Sequence, residues 1–141
     1  MEAQIYIRGS VPACVGGSLR VLTGFFQKGR GLLKTGRHSQ AVVLKDCASV
    51  HTFGMRYALD LAFIGYDGLV LRVCRDVKPG RLRFHSGTSC VVERPSTTGN
   101  WLVAGQRIEL RIKDSSAEKE NHKGFFIPRR SQNLERTVVL S

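Results

Sequence analysis

Two segments, 59–65 (LDLAFIG) and 69–75 (LVLRVCR), are nearly continuous apolar runs separated by Tyr66-Asp67-Gly68. Such runs around an Asp-Gly step predict a β-hairpin, with the turn residues taking the positive φ values of a tight primed turn. Leu59, Leu61 and Phe63 fall on one face of the first strand, and Leu69, Leu71 and Val73 on one face of the second. Residues 107–113 (RIELRIK) alternate strictly, with Ile108, Leu110 and Ile112 inward and Arg107, Glu109, Arg111 and Lys113 outward. Shorter strands are expected at 2–8, 18–22, 41–45 and 88–94, and SVPACVGGS (10–18) is a turn-rich connection between the first two. Residues 23–36 (TGFFQKGRGLLKTG) have helical spacing weakened by glycines, and one further helical turn fits around Trp101. These elements predict a mainly-β fold, a compact sandwich or distorted barrel of short strands with one or two short helices.

The pattern ends at Lys113. Residues 114–124 are polar and aperiodic, so 1–113 form a single mainly-β domain and 114–141 a polar linker with a C-terminal extension. No apolar run reaches the roughly 18–20 residues that cross a bilayer, so no membrane partner is expected. The start, MEAQIYIRGS, has no basic segment followed by an apolar block. The four cysteines (Cys14, Cys47, Cys74 and Cys90) form no C-x-x-C pair, so they read as reduced thiols in a cytoplasmic protein without a cofactor.

Charge changes the picture more than composition does. The chain carries +11, and residues 1–113 hold 17 basic against 7 acidic side chains, so the excess belongs to the folded body. A basic body attracts polyanions through its long-range field. Lys28, Arg30 and Lys34, with Arg20 and Arg37 beside them and Arg81 and Arg83 after the Pro79-Gly80 turn, are the candidate anion-binding residues. Aromatics lie next to basic residues in FFQKGR and KGFFIPRR, a composition on which bases can stack.

Candidate chemistry concentrates in 47–60, where Cys47, His51, Met55, Arg56 and Asp60 are close in sequence. Cys47, His51 and Met55 are soft or borderline metal donors. On a strand, however, residues four apart are separated by about 13 Å, whereas donors lie about 2.0–2.3 Å from a shared zinc ion. No metal site is therefore expected. His51, Met55, Arg56 and Asp60 are candidates for the lip of a ligand groove, and Arg56 and Asp60 for an ion pair across a bend. Cys47, His51 and Asp60 are the residues a catalytic alternative would use, through a thiolate–imidazolium pair. No nucleophile elbow accompanies them, and GRGLLKTG lacks the Walker spacing.

The stretch CASVHTFGMRYALDLAFIGYDGLVLRV resembles the signature of the domain-of-unknown-function family 192: a Cys, then Ser-Val-His-Thr-Phe-Gly-Met-Arg, an apolar strand, an Asp-Gly turn and a second apolar strand. RVLTGFFQKGRGLLKT, SCVVER and LVAGQRIEL are similar to its flanking segments, so the resemblance spans about residues 18–113. Ala58 stands where proline is usual, Gln106 where aspartate is usual, and Arg94 follows the strand glutamate Glu93. The resemblance implies a compact mainly-β domain with a sandwich-like core and no established reaction. Residues and resemblance together favour a non-catalytic domain whose basic face binds an acidic partner: a protein, a nucleic acid backbone or an anionic small molecule. The alternative is a small enzyme or metal-dependent protein using Cys47, His51 and Asp60.

Overall fold

A computed structural model of the chain describes residues 2–9, 13–22, 36, 40–113 and 135–138. Ten strands follow in order: β1 (Glu2–Ile7), β2 (Ala13–Leu22), β3 (Val42–Lys45), β4 (Ser49–His51), β5 (Leu59–Gly65), β6 (Val70–Val77), β7 (Leu82–Phe84), β8 (Thr88–Pro95), β9 (Ile108–Lys113) and β10 (Glu135–Val138). Eight form one mixed sheet in the order β10-β9-β1-β2-β3-β8-β5-β6, and β4 and β7 pair as a separate ribbon. All pairs are antiparallel except β2 with β3. The fold is mainly β, and no helix occurs among the described residues. The helical pattern of 23–36 lies, but for Gly36, outside them, and the segment around Trp101 is an irregular loop.

Strand alternation builds two cores on opposite faces of the sheet. Val43, Ala62, Ile64 and Val92 join Ile5, Leu19, Ile108 and Leu110 in the first, enclosed where the sheet curls over itself and capped by Trp101 and Leu102. Val42, Leu44, Leu59, Leu61, Phe63 and Val91 form the second, covered by Val50 from β4 and by Met55 and Tyr57 from the turn after it. Strand β5 is therefore buried along its whole length, as its nearly unbroken apolar run requires. The sheet does not close into a barrel. Its strands β6 and β9 meet at one corner, where Leu69 and Arg107 form an isolated bridge.

Two local expectations are corrected. The β5–β6 turn is not a primed one, because Gly68 takes a positive φ (80°) and Asp67 does not. Gly68 donates its N–H to the Gly65 carbonyl at 3.1 Å and Gly65 donates to Leu69 at 2.9 Å, so the loop has three residues and ends on a left-handed glycine. Upstream, β2 starts at Ala13 instead of following a turn, since Gly16 and Gly17 form a bulge between the pairs Ile5↔Val15 and Gln4↔Ser18. Beyond Lys113, residues 135–138 add β10 to the free edge of β9. Residues 114–134 lie outside the described residues.

Candidate functional site

The ribbon β4–β7 has two unlike faces. Val50, opposite Arg83, points down into the second core, while the pairs Ser49↔Phe84 and His51↔Leu82 share the outer face. Phe53 continues that face, its ring stacked on His51 with centroids 5.6 Å apart. Phe53, Leu82 and Phe84 are 56%, 61% and 57% exposed. Most large apolar side chains here are buried, so three together on one small surface are unusual. Thr52 holds the ribbon in place: its hydroxyl donates to the Lys78 carbonyl at 2.7 Å and accepts the Arg81 N–H at 2.9 Å.

Four arginines lie near this face in the chain or by contact. Arg56 and Arg81 are exposed, and Arg83 is half-buried, with Nη1 turned back to the Leu82 carbonyl at 2.9 Å. Arg72 reaches across from β6 and donates to the Phe84 carbonyl at 3.1 Å. None of these four makes an ion pair among the described residues, where Asp60, Asp67, Asp76 and Glu109 pair instead with Arg8, Arg75, Lys78, Arg94, Arg107 and Arg111. Positive charge is thus left uncompensated where apolar rings are exposed.

Asp60 belongs to a different place. It is fully buried and, as an even-numbered neighbour of Leu59 and Leu61, it points away from the second core. Cross-strand Arg94 donates Nε to its Oδ2 at 3.0 Å, and Ser96 donates its hydroxyl to Oδ1 at 3.1 Å. Strand β6 bulges opposite, with Arg75 and Asp76 lying between the pairs Leu61↔Cys74 and Leu59↔Val77. That extra residue aims two donors at one carboxylate: the Asp76 N–H at 3.0 Å and Arg75 Nε at 3.2 Å. Burial pushes the Asp60 carboxyl up, but the Asp76 N–H, Arg94, Ser96 and Arg75 together hold it below its ordinary value of 3.8. Arg94 in turn stacks over Trp101 at 4.2 Å and donates to the Asn100 and Gly99 carbonyls. The result is a charged clamp that fastens the 96–101 loop to the sheet. A neighbouring open cavity of about 280 Å³ is lined by Tyr57, Ala58, Asp76, Lys78 and Ser96, with Asp76 and Lys78 paired at 2.8 Å.

The residues proposed for one groove are therefore divided between the two sides of the sheet. His51 and Arg56 are exposed on the ribbon side, Met55 is buried beneath them in the second core, and Asp60 is buried on the other side. The period of two along β5 separates Asp60 from its sequence neighbours. Arg56 does not pair with Asp60, whose partners are Arg75 and Arg94. Cys47 donates its thiol to the Ser49 carbonyl at 3.0 Å, and neither it nor His51 is among the hydrogen-bond or ion-pair partners of Asp60. Among the described residues no group of three His, Cys, Asp or Glu side chains is placed to hold a metal. Of the candidate anion-binding residues, Arg81 and Arg83 flank the ribbon, while Lys28, Arg30, Lys34 and Arg37 lie outside the described residues. Sequence reasoning missed Phe53, Leu82 and Phe84 as surface residues, because a large apolar side chain such as Phe53 reads as core and no strand was expected at 82–84. It also missed the Arg75–Asp60–Arg94 clamp, for which an arginine inside the apolar strand TSCVVER was the available signal.

Cys90 gives a simple chemical check on this arrangement. Burial pushes its thiol up to about 12, so little thiolate forms at mild pH. Alkylation at pH 8 is expected to label the half-buried Cys47 and Cys74 well before Cys90, as read by peptide mass mapping. Equal labelling of Cys90 in the native protein would contradict the packing of β8.

No family model matches the chain, and no curated protein matches it. Two solved structures are similar in fold. One is a "putative transcription regulator" from Sinorhizobium meliloti, 14% identical, with a TM-score of 0.65 over 77% of this chain and 93% of that one. The other is a protein of unknown function from Novosphingobium aromaticivorans, 16% identical, with a TM-score of 0.58 over 75% and 83% of the two chains. At these identities the likeness is one of fold alone.

Proposed function

We propose that the protein is a non-catalytic binding domain whose basic face takes an acidic partner. One observation carries this: Arg56, Arg72, Arg81 and Arg83, near the exposed apolar residues in the chain or, for Arg72, bonded to the Phe84 carbonyl, make no ion pair among the described residues. Arginine forks suit bidentate contact with carboxylate or phosphate, and exposed apolar surface beside them supplies the rest of a contact. The catalytic alternative has weaker support. A general base works best with a pKa near the operating pH, whereas Asp60 is held low and is occupied by two arginines, a hydroxyl and a backbone N–H. The cytoplasmic address and the kinship with the domain-of-unknown-function family 192 are part of the same proposal. Free thiols at Cys47, Cys74 and Cys90 support the first, and the HTFGMR-to-DG stretch supports the second.

The test is retention on heparin and on immobilised polyglutamate over a salt gradient. The parent is expected to bind both at low salt and to elute as salt rises. Replacing Arg56, Arg72, Arg81 and Arg83 together by alanine is expected to flatten the log–log salt dependence of heparin binding by up to about three to four, by analogy with about 0.9 per duplex phosphate contact. Unchanged elution of the quadruple variant would overturn the assignment of this face.

A further inference from the structure

We infer that the outer face of the β4–β7 ribbon is a stacking platform for single-stranded nucleic acid, with Phe53, His51 and Phe84 taking bases and the flanking arginines taking phosphates. This rests on the basic-face proposal and names the partner. Charge complementarity narrows the occupant to a polyanion, because Arg56, Arg72, Arg81 and Arg83 near the face make no ion pair among the described residues, against Asp46 before β4 and Asp76 before β7, the latter paired with Lys78. Three exposed apolar side chains then separate the kinds of polyanion. In a duplex the base faces are covered by their neighbours, so a phosphate backbone alone would leave Phe53, Leu82 and Phe84 in water. An unpaired strand can lay its bases on aromatic rings whatever its sequence.

Geometry suits this use. His51 and Phe53 are stacked on one another, with an interplanar angle of 28°, so a base would continue the stack on an outer ring face of the pair. Phe84 sits opposite Ser49, two residues along the ribbon from His51, or about 7 Å at the rise of a strand. That spacing gives neighbouring bases separate supports, with Leu82 beside His51 in the same cross-strand row. Arg72 is tied to the Phe84 carbonyl at the far end, and Arg56 follows Phe53 by three residues at the near end. Arg83 leaves β7 on the side of Val50, opposite to Leu82 and Phe84, with its Nη1 turned back to the Leu82 carbonyl at 2.9 Å, and Arg81 is exposed just before the strand.

The experiment is fluorescence anisotropy of the full chain with a labelled single-stranded 12-mer of uridine or thymidine, a duplex of equal length, and labelled polyglutamate, at low and physiological salt. Tighter binding of the single strand than of the duplex is expected. Phe53→Ala with Phe84→Ala is expected to weaken single-strand binding about tenfold or more, since each stacked base contributes that much by alanine substitution. Because this variant conserves charge, its heparin retention should not move. Both side chains are exposed, so a melting curve should show the variant folded, and Phe53→Trp with Phe84→Tyr should restore binding. Equal affinity for duplex and single strand, with no effect of the phenylalanines, would overturn the stacking platform and leave the basic face standing. Binding of polyglutamate but of neither nucleic acid would overturn it in favour of an acidic protein. Binding of none of the probes, heparin included, would remove the basic-face proposal as well.

Discussion

Asp60→Ala is expected to cost about 3–5 kcal/mol of folding stability, the usual size for removing one member of a buried ion pair, and to lower the melting temperature by roughly 10–20 °C. The loss has three sources. The side chain of Arg94 is only 11% exposed, so its guanidinium would be left beside an apolar methyl. The N–H of Asp76 would lose its acceptor in the β6 bulge, and Ser96 would lose its anchor, loosening the 96–101 loop. Asp60→Asn keeps an acceptor for the Asp76 N–H but loses the charge and turns an NH2 toward Arg94 Nε, so a loss close to that of Asp60→Ala is expected. Acid distinguishes the charge from the packing. The folded-state carboxyl lies below its ordinary value of 3.8, so its stabilisation is complete above that value and is lost as pH falls through the folded pKa. The stability gap between parent and Asp60→Asn should therefore be constant near neutrality and shrink in strong acid. A gap independent of pH down to about 2 would show that the ion pairs contribute nothing. Urea titrations of the parent and both variants at several pH values measure it.

Gly68→Ala is the second large effect, and it acts through backbone geometry. Gly68 has a φ of +80°, and a Cβ there would stand 2.4 Å from the Ile108 carbonyl oxygen. A left-handed conformation costs a non-glycine residue about 1–2 kcal/mol, and the close approach adds to this because its partner is backbone and not a flexible side chain. Together the expected cost is about 2–4 kcal/mol, or roughly 10 °C. The site matters because Gly68 accepts the Ile108 N–H at 2.9 Å and Val70 donates to Gln106 at 2.8 Å, which is how β6 meets β9. Gly105→Ala is the natural control. It also has a positive φ but nothing within 4 Å of an added Cβ, so its melting temperature should fall clearly less. Equal losses at both positions would mean that the close approach to Ile108 carries no weight.

What the sequence alone determined was local. The unbroken apolar run of β5 and the strict alternation of β9 announce themselves, because burial on two faces or on one leaves a period that short windows detect. Mainly-β architecture and the hairpin after Leu59 follow from such windows, and so does the concentration of positive charge in the folded body. The form of the hairpin turn does not, since Asp-Gly fits both a two-residue primed turn and a three-residue loop, and the pairing of Gly65 with Leu69 decides between them. Tertiary structure also decided the fate of the 47–60 cluster. Five chemistry-bearing residues close in sequence were dispersed when the chain laid His51 and Arg56 on the ribbon side, packed Met55 beneath them and turned Asp60 through the sheet. The partners of Asp60 lie 15 to 36 positions away, at Arg75, Arg94 and Ser96, and no local pattern connects them. Phe53, Leu82 and Phe84 carry the clearest lesson: their residue types say core, and only the pairing of β4 with β7 over an already filled second core leaves them facing water.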